Sequence, residues 1–388
     1  MGEAREAVFC RETFWRDTIR VSTNVIAEHF VAAGWRCAWL TTPLTLTTRW
    51  YRQGPHRQRL ALWRAGGRQA EVLEYTPAIP FGWSWRPGLR SPWLGRNALR
   101  FACPSLARVL ARHGYRERPG LLWIGSLAMA SVARVLRAER VAYHAHDLFM
   151  DYPGAPPELQ HLERWLVARV DAVFTTSACT RDALVERYHL DPAMVHVLGH
   201  GVHLERYGAA AEPPELAAIP RPRAVVLGTL SQADSTLVCR LAERRRDVHL
   251  LCIGPGGAPI AGMAAARGLA NVHVLGPRPH EDIPAFLLHA DVGLILYPFA
   301  GARSRRAGCN PMKLYEYAAA GLPVVSTWLP ELERLGAPVL AAHDPEELDH
   351  AFARALAATP DVRARMRAFA EEHGWDAKYR FVCDRLGL

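Results

Sequence analysis

Short apolar runs alternate with stretches of helical spacing along almost the whole chain, and midway the alternation stops and then begins again. The first set of runs is Ala7–Cys10, Cys37–Leu40, Leu121–Ile124, Val141–Tyr143, Ala172–Thr175 and Val195–Leu198. Helical spacing falls between them at Val21–Ala33, Leu127–Leu136, Leu159–Val170 and Thr180–Tyr188. A strand followed by a helix and another strand makes a crossover, so such strands lie parallel and helices cover both faces of the sheet. The polar, proline-rich stretch Ala209–Pro222 interrupts the pattern. New strand candidates follow at Ala224–Leu227, Val248–Ile253, Val272–Leu275, Val292–Leu296, Pro323–Ser326 and Pro338–Ala341. The expectation is an α/β protein of two Rossmann-like parallel-sheet domains facing across a cleft. The expected boundaries are 1–205 for the first domain, 206–222 for a linker and 223–373 for the second. The segment 374–388 has apolar residues at helical spacing from Trp375 and is expected to cross back onto the first domain.

A chain of 388 residues, half of them hydrophobic, is long enough for two cores. It holds no run of about 18 uninterrupted apolar residues, so no transmembrane helix is expected. Its start, MGEAREAVFCRE, has charges on both sides of a very short apolar patch and does not read as a secretory leader. The eight cysteines, at 10, 37, 103, 179, 239, 252, 309 and 383, show neither CxxC pairing nor zinc-ligand spacing. They read as reduced structural thiols of a cytosolic protein. A formal net charge of +9 favours anionic partners, whether nucleotides, anionic lipids or nucleic acid. One region departs from the alternation: Pro80–Pro104 holds three tryptophans, two phenylalanines and four arginines among prolines and glycines. That mixture suits a membrane interface or a sugar-binding loop, or a long loop packing its aromatics on the domain.

Ligands of such sheets bind beyond the carboxyl ends of the strands. In the second domain the turns there are Gly228-Thr229-Leu230-Ser231, Gly254-Pro255-Gly256-Gly257 and the turn opening at Gly276. Glycine in such turns lets a backbone come close to a ligand. The segment Asn310-Pro311-Met312-Lys313-Leu314-Tyr315-Glu316, running on to Gly321-Leu322-Pro323, carries the sharpest signal. Asn310 is expected to cap a helix with Pro311 at its first position, and Gly321 to end it. The amides of that helix start, the Lys313 charge and the Glu316 carboxylate one turn on suit a diphosphate and a ribose. Tyr297, ending the preceding strand, is a candidate for stacking on or bonding a base. Arg303, Arg305 and Arg306, in the loop before the helix, are candidates for neutralising the diphosphate or a donor carboxylate. The donor-binding set is therefore Gly228, Leu230, Tyr297, Arg303, Arg306, Asn310, Met312, Lys313 and Glu316. An ordinary surface pair of Lys313 and Glu316 is the plain alternative.

This segment resembles the donor motif of the GT-B glycosyltransferases, enzymes with two facing Rossmann domains that use nucleotide-diphosphate sugars. Glu316 matches the second of the two glutamates usual in their large retaining branch, while Gly308 stands where the first would be. The chain is also similar to the xanthan-type, membrane-associated glucuronosyltransferase family, which is inverting. The matching stretches are Phe14–Asn24, Tyr143-His144-Ala145-His146-Asp147, Gly199-His200-Gly201-Val202, Met312-Lys313-Leu314 and Gly321-Leu322-Pro323. Glu316 stands where that family has a glutamine. The resemblance implies Asp147 as the catalytic carboxylate and places Asp17, Asn24, His200 and Gly201 at the acceptor or the cleft.

Asp147 also fits a chemical argument, because it follows an apolar run and an inverting transfer needs a base for the acceptor hydroxyl. His144 and His146 are alternative bases, and a structural turn or helix cap is the alternative role for Asp147. No DxD-type metal motif stands at a strand end, so neither a metal nor any cofactor besides the UDP-sugar substrate is expected. The expected function is transfer of a sugar, glucuronate if the xanthan-type resemblance holds for the donor, from a UDP-sugar to a lipid-linked or polysaccharide-precursor acceptor. The expected partners include an anionic membrane surface and no nucleic acid, with the protein peripheral on the inner face of the plasma membrane. The alternatives are a retaining GT-B hexosyltransferase and a sugar-nucleotide epimerase of the same fold.

Overall fold

The structure is a computed structural model that describes residues 5–16, 22–45, 54–82, 91–148, 155–299 and 308–388. The chain forms two compact units, one of Met1–Leu198 with Tyr379–Leu388 and the other of Gly199–Lys378. Among the described residues no helix is long and apolar enough to cross a membrane.

The first unit is built on β1 (Glu6–Cys10), β2 (Arg36–Leu40), β3 (Leu44–Thr45), β4 (Arg68–Gln69), β5 (Leu73–Tyr75), β6 (Ala78–Ile79), β7 (Leu121–Ile124), β8 (Arg140–Ala145), β9 (Ala172–Thr175) and β10 (Val195–Val197). Its main sheet has the order β10-β9-β8-β7-β1-β2-β5-β4, with β3 and β6 paired separately. All pairs of the main sheet are parallel except β4–β5. Strands β1, β7 and β9 are buried along their whole length, as a sheet covered on both faces requires. Phe9 lies 6.3 Å from both Trp39 and Trp123, whose ring stacks on Phe174 at 5.1 Å. The last ten residues join this core: Tyr379 meets Phe30 edge-on at 5.0 Å, and Arg140 Nε donates to the Leu386 carbonyl at 2.8 Å.

The second unit holds β11 (Arg223–Leu227), β12 (His249–Ile253), β13 (Val272–Gly276), β14 (Val292–Ile295), β15 (Val324–Thr327) and β16 (Leu340–Ala342), in the order β13-β12-β11-β14-β15-β16. Every pair is parallel. Each sheet therefore reverses direction of growth once, between β1 and β7 in the first unit and between β11 and β14 in the second. Such switch points leave a crevice at the carboxyl ends of the strands.

The structure corrects three local expectations. Leu127–Leu136 is a 3₁₀ turn, Leu127–Met129, and a separate short helix, Val132–Val135. Ser126 accepts from the Ala128 amide, which favours the tight turn over a continuous helix. The stretch Ala209–Pro222 is packed rather than free: Leu216 and Ile219 are buried in the second core. Arg223, buried itself, donates to the carbonyls of Leu216 and Ile219 and pairs with Glu212. The third concerns Pro80–Pro104, which contains a helix, Pro92–Asn97, and a 3₁₀ turn, Ala98–Phe101, within its described part.

Candidate functional site

At the second switch point the chain leaves three successive strands on glycine. Gly228, Gly254 and Gly276 have φ of 103°, 139° and 75°, a region that L side chains rarely adopt. The turns are laid on one another: the Gly228 amide donates to the Ile253 carbonyl and the Gly254 amide to the Gly276 carbonyl, both at 2.9 Å. A Cβ on Gly254 would lie 1.8 Å from the Gly228 carbonyl oxygen. Lys313 reaches this corner from the Met312–Ala319 helix. Its Nζ lies 3.4 Å from where a Gly228 Cβ would stand and 5.3 Å from the centroid of the Tyr297 ring. The structure thus brings Gly228, Tyr297 and Lys313 together. Tyr297 is 5% exposed, with its ring turned to the ammonium.

The helix is aimed by its buried face. Leu314, Tyr315, Tyr317 and Ala318 are buried while Met312, Lys313 and Glu316 are half-buried, so the polar positions share the open side. The Tyr317 hydroxyl accepts from the Leu227 amide at 2.9 Å, and the Val225 and Leu294 carbonyls lie 3.0 and 3.2 Å away to take its proton. It therefore bridges β11 and β14 where the sheet divides. A Cβ on Gly293 would meet the Tyr317 ring at 2.6 Å, so that glycine makes the room. Gly321, at φ 69°, ends the helix with a Schellman pattern: its amide donates to the Ala318 carbonyl and that of Leu322 to the Tyr317 carbonyl. Asn310 does not cap the helix, contrary to the expectation. Its Oδ1 accepts from the Tyr315 hydroxyl at 3.0 Å, and the N-cap residue is Pro311. Glu316 Oε1 lies 2.8 Å from His280 Nε2, on the turn that follows β13. The Tyr207 hydroxyl has its pKa well above the usual value through burial first and the Glu316 charge second.

At the first switch point side chains converge. Thr23, fully buried in the first turn of the Ser22–Ala32 helix, places Oγ1 3.3 Å from His144 Nδ1 and 2.9 Å from His146 Nε2. The two imidazoles are 3.9 Å apart, and His144 is fully buried against Trp123. One hydroxyl proton serves only one ring, so the other ring donates to Thr23. Gly125, following β7, lies against Thr23 and Arg11, and Arg11 donates to its carbonyl. Asp147 is an exposed residue just beyond β8. Although the residue is exposed as a whole, partial desolvation of its carboxyl raises the pKa above the usual carboxylate value, and the Arg11 guanidinium opposes that rise.

The remaining expected positions divide. Leu230 and Met312 differ: the first is 1% exposed and its side chain belongs to the core, the second lies on the helix's open side. Asn24 is fully buried and donates to the Trp15 carbonyl at 3.4 Å. His200 and Gly201 belong to the second unit and form a clasp with residues 373–378. A Cβ on Gly201 would meet Trp375 at 2.8 Å, and the Val202 amide donates to the His373 carbonyl. Burial, followed by the Lys378 charge, lowers the His200 pKa to about 4, and burial lowers that of Lys378 to about 8. Asp17, Arg303, Arg305 and Arg306 lie outside the described residues. Sequence reading missed Tyr317, Gly293, His280, Thr23 and Arg11. Tyr317 lies beside Glu316 in the donor motif and Thr23 within the matching stretch Phe14–Asn24, while nothing in the sequence pointed to Gly293, His280 or Arg11.

Comparison with known proteins returns two family models. Residues 18–201 match the glycosyl transferase 4-like domain, and residues 222–358 match glycosyl transferases group 1. A Bacillus subtilis (strain 168) protein described as the teichuronic acid biosynthesis glycosyltransferase TuaH is 23% identical over 59% of this chain and 60% of its own. The chain spans between 52% and 60% of the length of the curated relatives it matches. Among solved structures, sucrose-phosphate synthase from Thermosynechococcus elongatus superposes with a TM-score of 0.68 at 16% identity, over 97% of this chain and 98% of that one. Anabaena HepE in complex with UDP and glucose also gives a TM-score of 0.68, at 15% identity over 99% of each chain. At such identities the likeness establishes the fold.

Proposed function

We propose that this chain, whose residues 18–201 match a glycosyl transferase 4-like domain and 222–358 the glycosyl transferases group 1, transfers a sugar from a UDP-sugar to a lipid-linked or polysaccharide-precursor acceptor. The observation that carries the donor half is the meeting of Lys313 with the Gly228 turn beside Tyr297. The Lys313 ammonium beside this turn neutralises charge on a leaving diphosphate without a metal ion. Glu316, half-buried on the same side of the helix, takes the ribose hydroxyls.

On the acceptor side Asp147 is the general base. Its carboxylate removes the acceptor hydroxyl proton as that oxygen bonds to the anomeric carbon, and the bond from that carbon to UDP breaks with inversion. A raised pKa brings a carboxylate closer to the operating pH, where a base is most effective. Glucuronate as the sugar rests on the stretches similar to the xanthan-type family. Attachment to an anionic membrane surface draws support from Phe81, Trp93 and Phe101, exposed at 52%, 61% and 48%, and from the exposed Arg100 next to Phe101 in the chain.

The test is a transfer assay with UDP-sugars on the wild type and on Lys313→Ala, with UDP affinity measured in parallel. Loss of a charge-assisted contact costs about 1.5–3 kcal/mol, so UDP should bind roughly tenfold to a hundredfold more weakly in the variant. Unchanged affinity removes the donor site from this helix. Product formed without acceptor converts the reading to an epimerase, and a retained anomeric configuration converts it to a retaining transferase.

A further inference from the structure

Glu316 does not stand alone on its helix. His280 Nε2 lies 2.8 Å from Glu316 Oε1, and His280 Nδ1 lies 3.2 Å from an Arg206 guanidinium nitrogen. A guanidinium only donates, so Nδ1 is the accepting nitrogen. The ring proton therefore sits on Nε2 and points at the carboxylate. Arg206 belongs to the turn Leu204–Tyr207, and His280 to the turn that leaves β13. The neighbouring Arg278 pairs with Glu215 at 2.9 Å, so the same turn is tied twice to the 204–216 segment. A carboxylate has about four lone-pair positions, and His280 uses one of them on Oε1. The Glu316 side chain is 17% exposed, which leaves the rest of the carboxylate reachable.

We infer that His280, with its tautomer set by Arg206, is a positioning residue that holds the Glu316 carboxylate in the orientation that receives the two ribose hydroxyls of the nucleotide. The inference rests on the donor site proposed above. An unsupported glutamate on a helix surface samples several rotamers, and freezing a long side chain costs up to about 2 kcal/mol when the ligand must do it. A fixed hydrogen bond removes part of that cost before binding. The arrangement selects for a ribonucleotide through Glu316 and requires no contact of His280 with the ligand.

The experiment titrates UDP and 2′-deoxyuridine 5′-diphosphate into the full chain by calorimetry. It uses the wild type, His280→Ala, His280→Gln, Glu316→Ala and the double variant His280→Ala/Glu316→Ala, each checked for folding by thermal unfolding. The wild type is expected to prefer UDP by about tenfold or more, the worth of a hydrogen bond to a charged group. His280→Ala should lose about three- to tenfold in UDP affinity, the coupling typical of neighbours in one network. It should lose far less for the deoxynucleotide, so the ribose preference shrinks. Glutamine carries a donor near the Nε2 position and an acceptor for Arg206, so His280→Gln should retain most of the preference. In the Glu316→Ala background the histidine substitution should change nothing further. A normal ribose preference in His280→Ala beside a reduced one in Glu316→Ala overturns the positioning role and spares the donor site. Additive losses in the double variant overturn it too, because His280 then acts without Glu316. A normal preference in Glu316→Ala overturns the donor reading itself, and the inference with it.

Discussion

The corners at the two switch points share a topology and use different material. In the second unit the chain turns on Gly228, Gly254 and Gly276, with one ammonium, Lys313, against the Gly228 turn. In the first unit the same place in the sheet is filled by side chains, Thr23 between His144 and His146, with Arg11 and Asp147 alongside. Glycine turns keep side chains out of the corner and leave room for an anionic ligand beside the ammonium. Titratable side chains suit the movement of a proton. On the function proposed above, the same crossover order serves binding in one unit and proton chemistry in the other.

The largest expected effect breaks or upholds that division. Asp147→Asn keeps the shape of the side chain and removes the base, so turnover should fall about 10²–10⁴-fold while UDP affinity stays unchanged. If the residue is only a cap, asparagine serves as well and activity survives. Transfer rate and UDP affinity measured on that one variant separate the two outcomes. Near-normal turnover would move the role to His144 or His146.

The glycine corner should be brittle where the side-chain corner is forgiving. Gly254→Ala places a methyl 1.8 Å from a backbone oxygen at φ 139°. Strain and overpacking together predict a loss of about 4 kcal/mol, seen as a lower denaturation midpoint or as failure to fold. At Gly125 the nearest atom is the Thr23 hydroxyl, 3.1 Å from the added methyl, and a side chain can yield. There the loss should be about 1 kcal/mol. Equal losses at the two positions would end the contrast between a backbone-built and a side-chain-built corner.

A smaller effect concerns acid. The strongly shifted histidine of the second unit is His200, in the clasp with residues 373–378. Its folded pKa of about 4 lies below the usual 6.5, so folding favours the neutral ring. The stability it contributes is complete above pH 6.5 and is lost as pH falls toward 4, by about 3 kcal/mol at most. His200→Asn cannot titrate and should flatten the pH dependence of unfolding free energy across that window. An unaltered slope would place the acid sensitivity elsewhere.

The alternation of apolar runs and helical stretches was enough to specify parallel sheets, because period and order are local properties of the chain. The glycine turns and the Lys313 helix were legible for the same reason: a glycine after a strand and a proline–lysine–glycine frame around an amphipathic helix are short-range signals. Asn310 shows the limit. Its sequence position suits a cap, and the Tyr315 hydroxyl, five positions on, takes its side chain instead.

What the folded chain alone decided is which distant residues meet. His280 reaches Glu316 across 36 positions, Thr23 reaches His146 across 123, and Leu227 finds the Tyr317 hydroxyl across 90. No periodicity encodes those pairings, because each depends on the order in which strands enter a sheet and on the direction in which a turn leaves it. The sequence by itself determined the two sheets and the chemistry available at their ends. The tertiary structure decided that one corner would be lined with backbone and the other with imidazole, hydroxyl and carboxyl groups, since burying either sheet leaves only its crevice for polar groups to share.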